Sequence, residues 1–478
     1  MKLYKILILF SVGILLFGCS QEVLDEINED QTSTNPTEMV ANNLVPDMIL
    51  KSAYETTGTD IAWYSTVFIE HNAGTWAQLS DADKRNGLES ASLMNNSWNA
   101  IYDVMNICQT IIDKTDPDNG EEAMNTSARG LAQILMAYNL AVTTDMWGDV
   151  PYTEAFKGAE NLKPSYDEAS TLYPEIQRLL DEAIDNLSAS SSIDADDYIY
   201  GGNIDNWIRA AYSLKARFHL RLTNVNGTTA AQDALDALAN GFTSADQDML
   251  FQEYAGIALP NANPWGEYWY YRDHNSISTT FFNILSDRND PRIPYLVWPN
   301  AGEYVPAPIG EAEETQGGYS QSRLSTRWSG WSAPTPMITY HEIKFIEAEA
   351  KFRTGEATWT DALQTAIEEA FAYIGTQYYG APIPGATDYY TNEVEPLLTA
   401  GNELQEILTQ KYIAMFEAEC IESYNDYRRT SIPTMQNPNN QTVGFPHRFP
   451  YALSEERANP DNVPEISIYD DKIWWAAD

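Results

Sequence analysis

What most constrains this chain is a spacing that returns in segment after segment: apolar residues three, four and seven positions apart, the repeat of one face of an α-helix. Leu131, Leu135, Tyr138 and Val142 fall on one such stripe, and Trp207, Ala211, Leu214 and Phe218 on another. Leu172, Ile176, Leu179, Ala183 and Leu187 make a third, and Ile338, Phe345, Ala348 and Phe352 a fourth. Asp116-Pro117-Asp118-Asn119-Gly120 breaks one neighbouring pair, while Thr354-Gly355 ends a helix ahead of the next, expected over about residues 360–374. Short connections between helices of this length favour antiparallel neighbours, so the expected fold is mainly α, a stack of tetratricopeptide-like helical hairpins. No fixed period of about 34 residues accompanies the stripes, so this expectation rests on helix pairing alone. Two stretches rich in Gly, Pro, Tyr and Trp, 256–336 and 378–396, interrupt the rhythm. They read as long ordered loops with little regular structure, and loops of that length in a compact body are commonly functional.

The N-terminus carries an address. Lys2 and Lys5 precede an apolar run, residues 6–17, which has the length of a secretory signal core. It is too short for a membrane span, which needs roughly 20 apolar residues. Leu16-Phe17-Gly18-Cys19 reads as a lipobox: cleavage before the cysteine leaves a thiol that takes acyl chains. Each buried CH₂ contributes about 0.8 kcal/mol, so several chains anchor far more firmly than one. The expected organisation is a signal peptide over 1–18, a flexible acidic tether over 19–36 behind acylated Cys19, and a single body over 37–478. Glu22, Asp25, Glu26, Glu29 and Asp30 give the tether its charge.

The chain carries a net charge of −41, and removing residues 1–18, with two lysines and no acid, takes it to −43. Since 44% of residues are hydrophobic and 12% aromatic, a large core is available and the acidity belongs to the surface. Nucleic acid is excluded as a partner, because phosphate binding needs clustered Lys and Arg. The same field disfavours polyanionic ligands unless a local basic patch overrides it, which leaves a neutral ligand as the better fit. Cys108 sits in the stripe Trp98, Ile101, Met105, Cys108, Ile112, and Cys420 in Ile413, Phe416, Cys420. Both read as buried small hydrophobes, and spacing alone leaves a disulfide between them open.

Catalytic signatures are missing. His71, His219, His274, His341 and His447 are the only histidines, and His341-Glu342 fails as a metal motif because Phe345 stands where the second histidine belongs. There is no G-x-S-x-G elbow, no P-loop and no G-x-G-x-x-G behind a strand. Asp116-x-Asp118-x-Gly120 opens like a calcium loop, but Ser127 occupies the place of the bidentate acid, so it reads as a capping turn. With 69 acidic residues, carboxylate pairs arise by chance, and a glycosidase would need a geometry that sequence does not supply. The expectation is a binding protein and not an enzyme, with no metal and no cofactor.

The segment Asp145-Met146-Trp147-Gly148-Asp149-Val150-Pro151-Tyr152-Thr153-Glu154-Ala155 closes a long helix, with Gly148 able to take positive φ and Pro151 blocking continuation. Its wording resembles the W-G-D-V-P-Y-x-E-A hallmark of the SusD/RagB family of outer-membrane nutrient-binding lipoproteins. Further islands agree in order: Ile199-Tyr200-Gly201-Gly202, Asp290-Pro291-Arg292, Glu342 through Ala350, Gln410-Lys411-Tyr412-Ile413-Ala414, Tyr424-Asn425-Asp426-Tyr427-Arg428-Arg429-Thr430 and Pro446-His447-Arg448-Phe449-Pro450-Tyr451. The resemblance spans nearly the whole chain after Cys19. It implies a helical body of four tetratricopeptide-like units carrying an irregular, loop-rich ligand face. It also implies a SusC-like TonB-dependent outer-membrane transporter as partner, and a lipid-anchored place in the outer membrane facing the cell exterior.

On a physical reading the islands themselves are structural: Arg428 and Arg429 pair with acids or cap a helix, and Asp149 fixes the turn. Ligand contacts are therefore expected from aromatics in the irregular region. Trp265, Tyr268, Trp269, Tyr270 and Tyr271 crowd beside Arg272, Arg327 and Trp328 stand close to Trp331, and Trp76 ends an early loop. Sugar rings lie on flat aromatic faces while their hydroxyls bond polar groups at the edge. The candidate glycan-binding set is Trp76, Trp265, Tyr268, Trp269, Tyr271, Arg272, Arg327, Trp328 and Trp331, and the alternative for each ring is packing of loops onto the scaffold. Trp474 and Trp475 read as packing or partner-facing. A peptide ligand is the second reading, as the RagB branch implies, and a lipid-anchored glycosidase, which would show turnover, is the third.

Overall fold

The computed structural model describes residues 39–256, 262–312, 321–324, 330–417, 419–436 and 443–476. The signal segment 1–18, Cys19, the tether 19–36, Arg327 and Trp328 lie outside the described residues. The chain divides into a unit of residues 1–40 and a unit from Ala41 to Asp478, and all that follows concerns the second.

It opens with α1 (Ala41–Lys51), α2 (Asp60–Phe68) and α3 (Ala77–Asp83). The long helices follow: α4 (Asn95–Lys114), α5 (Thr126–Trp147), α6 (Ala169–Ser188), α7 (Ile204–Arg221) and α8 (Thr228–Leu238). After α9 (Pro264–Tyr271) and α10 (Thr279–Ser286), the helical stack resumes with α11 (Tyr340–Thr354), α12 (Trp359–Ile374), α13 (Glu403–Ala414) and α14 (Cys420–Thr430). Each long helix lies against its neighbour in sequence, α4 on α5, α5 on α6, α6 on α7, α7 on α8 and α11 on α12, and α8 joins the two halves by packing on α11. This is the expected stack of helical hairpins.

The stripes read from sequence point inward. Leu131, Leu135, Tyr138 and Val142 are buried, as are the five stripe residues of α6 and the four of α7. Helix α5 is buried nearly all round, because α1, α4, α6 and α7 cover it on every side, which is how an apolar helix behaves at the centre of a body. Asn125 caps its start by accepting from the Ala128 amide. The Asp116 side chain closes its own turn, its Oδ1 accepting from the amides of Asp118 at 3.0 Å and Asn119 at 2.9 Å, and it caps no helix, since the next one starts on Asn125. Cys108 and Cys420 are free and buried.

Two stripes need correction. Ile338 belongs to a strand and not to the helix of Phe345: Thr339 is extended and caps α11 through its hydroxyl, which accepts from the Glu342 amide. Ile413 and Cys420 sit on separate helices, because the chain turns sharply at Glu417, whose φ of +62° no helix accommodates. Small antiparallel ribbons close the remaining space. β1 (Asn72–Gly74) pairs with β3 (Asn275–Ile277), β2 (Met249–Phe251) with β6 (Thr335–Ile338), and β4 (Val297–Trp298) with β5 (Arg323–Leu324). The described parts of 256–336 are thus more regular than their composition indicates, since Asn263 and Ser278 supply caps that start α9 and α10. Within 378–396 the chain winds through short helical turns, Ala386–Tyr389 and Tyr390–Val394 among them.

Buried ion pairs stitch the helices together. Arg217 of α7 donates to Glu342 of α11 at 2.8 Å, Arg221 pairs with Glu422 of α14, and Arg429 of α14 pairs with Glu349 of α11 at 2.8 Å. Burial pushes the Asp426 carboxyl up, but Lys411 and Arg429 outweigh it and hold the group well below the usual carboxylate range. Removing one partner of such a pair leaves a buried charge without compensation, at a cost of about 3–5 kcal/mol. Arg217→Ala is expected to lose stability of that order, read as a fall in the urea midpoint, and an unchanged midpoint would contradict the pairing.

Glu417 titrates in the other direction. Burial pushes its carboxyl up to about 8, against the pull of the Asn72 and Thr66 hydrogen bonds. An acid held protonated in the fold lets the unfolded chain lose its proton first, so stability falls as pH rises from the ordinary value of 4.5 towards about 8. Thermal melts between pH 5 and 8 are expected to fall less steeply for Glu417→Gln than for the unaltered protein.

Candidate functional site

Helix α9 begins at a strong signal, Asn263 followed by Pro264: the Asn263 side chain accepts from the amides of Trp265 at 2.8 Å and Gly266 at 3.2 Å, and proline fits the first helical position. The same asparagine donates to the Ala333 carbonyl at 3.0 Å, and its amide donates to the Trp331 carbonyl at 2.7 Å, so one residue starts the helix and holds the turn that leads into β6. Gly266 permits the close approach, because a Cβ there would stand 2.9 Å from the Trp331 Cα.

Successive helix residues turn by about 100°, so five aromatics in one helix cannot share a face. Trp265 and Tyr268 face inward, 7% and 2% exposed, against Trp63 of α2, with ring centroids 6.4 Å and 4.3 Å away. Tyr270 and Tyr271 face outward, 67% and 53% exposed. Trp331 lies half-buried against Tyr270, 4.8 Å between centroids, and Tyr271 meets Tyr270 edge-on at 5.0 Å. Trp269 is half-buried beneath the Arg323 guanidinium, 5.8 Å from its ring centre. Arg323 pairs with Asp273, whose carboxyl burial still pushes up to about 6.

The loop bearing Trp76 comes to the same end of α9 through the β1–β3 ribbon, extended by the Thr75 amide donating to the His274 carbonyl at 2.8 Å. Trp76 is 39% exposed at the start of α3, and Arg272, exposed at the end of α9, donates to Gln78 of that helix at 3.3 Å. The geometry therefore brings Trp76, Trp269, Tyr271, Arg272 and Trp331 towards the surface. Trp265 and Tyr268 correct the expectation of stacking contacts: their rings pack the helix onto the scaffold. Sequence reasoning missed Trp63 and Asn263 and left Tyr270 out of the candidate set. Only the Asn-Pro cap was there to be read.

Two histidines, His71 and His341, are used structurally. Burial pulls His71 down to about 3, and His341 is ion-paired with Glu419 at 2.9 Å. Among the described residues no group of three or more His, Cys, Asp or Glu could hold a metal ion, and no helix is long and apolar enough to cross a membrane.

A structure described as a SusD/RagB family protein from Bacteroides thetaiotaomicron is 30% identical to this chain, with a TM-score of 0.82 over 92% of this chain and 99% of that one. A family model described as "Starch-binding associating with outer membrane", the SusD-like family, matches residues 33–452. This chain belongs to the SusD-like family. Its fold is shared by a chitin-binding SusD homolog from Flavobacterium johnsoniae, at 19% identity and a TM-score of 0.75 over 91% of this chain and 98% of that one. A second chitin-binding protein matches at 22% identity with a TM-score of 0.77, covering 91% and 100%. No curated protein matches the chain.

The wording of this SusD-like chain converges on one knot of hydrogen bonds. Trp147 donates from its indole to the Pro450 carbonyl at 2.9 Å, Asp149 accepts from the Ala169 amide at 2.9 Å and so starts α6, and Arg428 donates to the carbonyls of Asp145 and His447. Gly148, at φ +82°, leaves room for Arg448, whose guanidinium a Cβ would meet at 2.8 Å. Trp475 is buried with its indole N–H on Asp145, and Trp474 lies against Tyr173, so both pack. Losing a helix cap costs about 0.5–2 kcal/mol. Asn263→Ala is expected to speed amide hydrogen exchange across 263–272 and 330–333 while leaving α5 protected.

Proposed function

We propose that this protein captures neutral oligo- or polysaccharide on the face built by Tyr270, Tyr271 and Trp331, and delivers it without chemical change to a SusC-like TonB-dependent transporter. Acyl chains on Cys19 anchor it in the outer membrane, the tether 19–36 holds the body 37–478 clear of the lipid, and the body faces the cell exterior. The observation that carries this reading is the outward half of α9, where large aromatic rings stand exposed on a rigid, capped helix in a member of the SusD-like family. Exposed contiguous aromatic surface is kept where it has something to bind. The net charge of −41 argues for neutral sugars over sulfated or uronate-rich ones.

An aromatic contact contributes about 0.5–1.5 kcal/mol beyond the area it buries, which is roughly 2- to 13-fold in affinity. Isothermal calorimetry against a panel of neutral glycans is expected to find a ligand whose affinity falls by that factor in Tyr270→Ala and in Trp331→Ala, with little dependence on salt. Failure of every glycan to bind, or indifference of the best one to both substitutions, would overturn the reading. New reducing ends after incubation would make the protein an enzyme, and a ladder of peptide masses in the purified transporter complex would make it a peptide carrier.

A further inference from the structure

Where α2, α3 and the end of α9 meet, polar atoms gather that the fold does not use. The Tyr268 side chain is buried, yet its hydroxyl has no hydrogen-bond partner among the described residues, and neither has the indole N–H of Trp63, whose ring lies tilted against it, 4.3 Å between centroids. Buried polar groups left unpaired cost free energy, so they are commonly satisfied by water or by a ligand. Asp60 lies on the same face of α2 as Trp63 and Tyr64, three and four residues on, and is half-buried without an ion pair or hydrogen bond among the described residues. Arg272, tied to Gln78, stands over the same place: its charge bears on Asp60, Tyr64 and Tyr268 alike. Burial lifts the Asp60 carboxyl while Arg272 pulls it back. Asp60, Trp63 and Gln78 are half-buried and Arg272 is exposed, while the Tyr268 hydroxyl and the Trp63 indole N–H lie just beneath them.

We propose that Asp60, Tyr268, Arg272 and the Trp63 indole form a subsite for the acetamido group of an N-acetylated amino sugar. This rests on the glycan reading above and narrows it. An acetamido group offers one N–H, one carbonyl and one methyl. A carboxylate can only accept, a guanidinium can only donate, and a phenol hydroxyl can donate, so Asp60 takes the N–H while Tyr268 and Arg272 take the carbonyl. The methyl lies on the flat indole of Trp63. A sugar with a plain hydroxyl at that position fills part of the hydrogen-bonding set and leaves the indole face empty. A free ammonium meets Asp60 and Arg272 together, so attraction and repulsion offset.

The test is calorimetry on the full-length protein with three β-1,4-linked oligosaccharides of equal length: chito-oligosaccharide, its deacetylated form, and cello-oligosaccharide. The acetylated ligand is expected to bind at least about tenfold tighter than either of the others. Tyr268→Phe, which keeps the ring, and Asp60→Ala, which removes the acceptor, are each expected to bring the ratio close to one, with melting curves confirming that both variants fold. Equal affinity for all three, tighter binding of the deacetylated form, or a preference that survives both substitutions would overturn the subsite while leaving glycan capture standing. If none of the three binds and the wider neutral panel also fails, glycan capture falls with it.

Discussion

The structure depends on arginines buried against carboxylates between helices far apart in sequence. Asp145, at the end of α5, receives the Tyr173 hydroxyl, the Trp475 indole, the Asn425 amide and the Arg221 guanidinium. Arg221 passes the linkage to Glu422 on α14, and on that same helix Arg429 reaches Glu349 of α11. Replacing such pairs with apolar side chains is often neutral for stability, so their value lies elsewhere. Each charge tolerates only the register that supplies its partner. Hairpins with similar apolar faces could slide past one another, and the ion pairs fix which helix meets which.

That constraint explains why the shared wording of the SusD-like family is legible while the binding site is not. The hallmark around Trp147 and the islands around Arg428 and Arg448 lie about 300 residues apart at their extremes but close on the same hydrogen bonds, as in the donation from Trp147 to Pro450 across 303 positions. They encode the joining of the last segment to the central helix. A ligand face bears no such burden, since its side chains need only stand on a rigid support and can vary with what is bound.

The aromatic helix shows how far the sequence goes at a site. Five rings beside Arg272 announce a local concentration of flat surface, and the Asn263-Pro264 pair announces where the helix starts. From those two facts the angular sorting follows in principle: Trp265 and Tyr268 on one side, Tyr270 on the other. Which side meets the scaffold depended on Trp63, just over two hundred residues earlier, and on the turn at Trp331 that Gly266 lets in close. The burial of Tyr268 in turn creates the unpaired hydroxyl that makes the region below the rings polar.

By itself the sequence determined the helical class, the hairpin order and the family, because helix period, caps and turns are local and repeat along the chain. It also determined that Cys108 and Cys420 sit in apolar surroundings, since their own neighbours carry that information. Only the tertiary structure decided that Ile338 lies in a strand, that the chain turns at Glu417, and which tryptophans and tyrosines reach the surface. The physical reason is the same in each case. Exposure and turn geometry are set by contacts between residues distant in sequence, and a pattern read along one segment carries no term for the partner that will cover it.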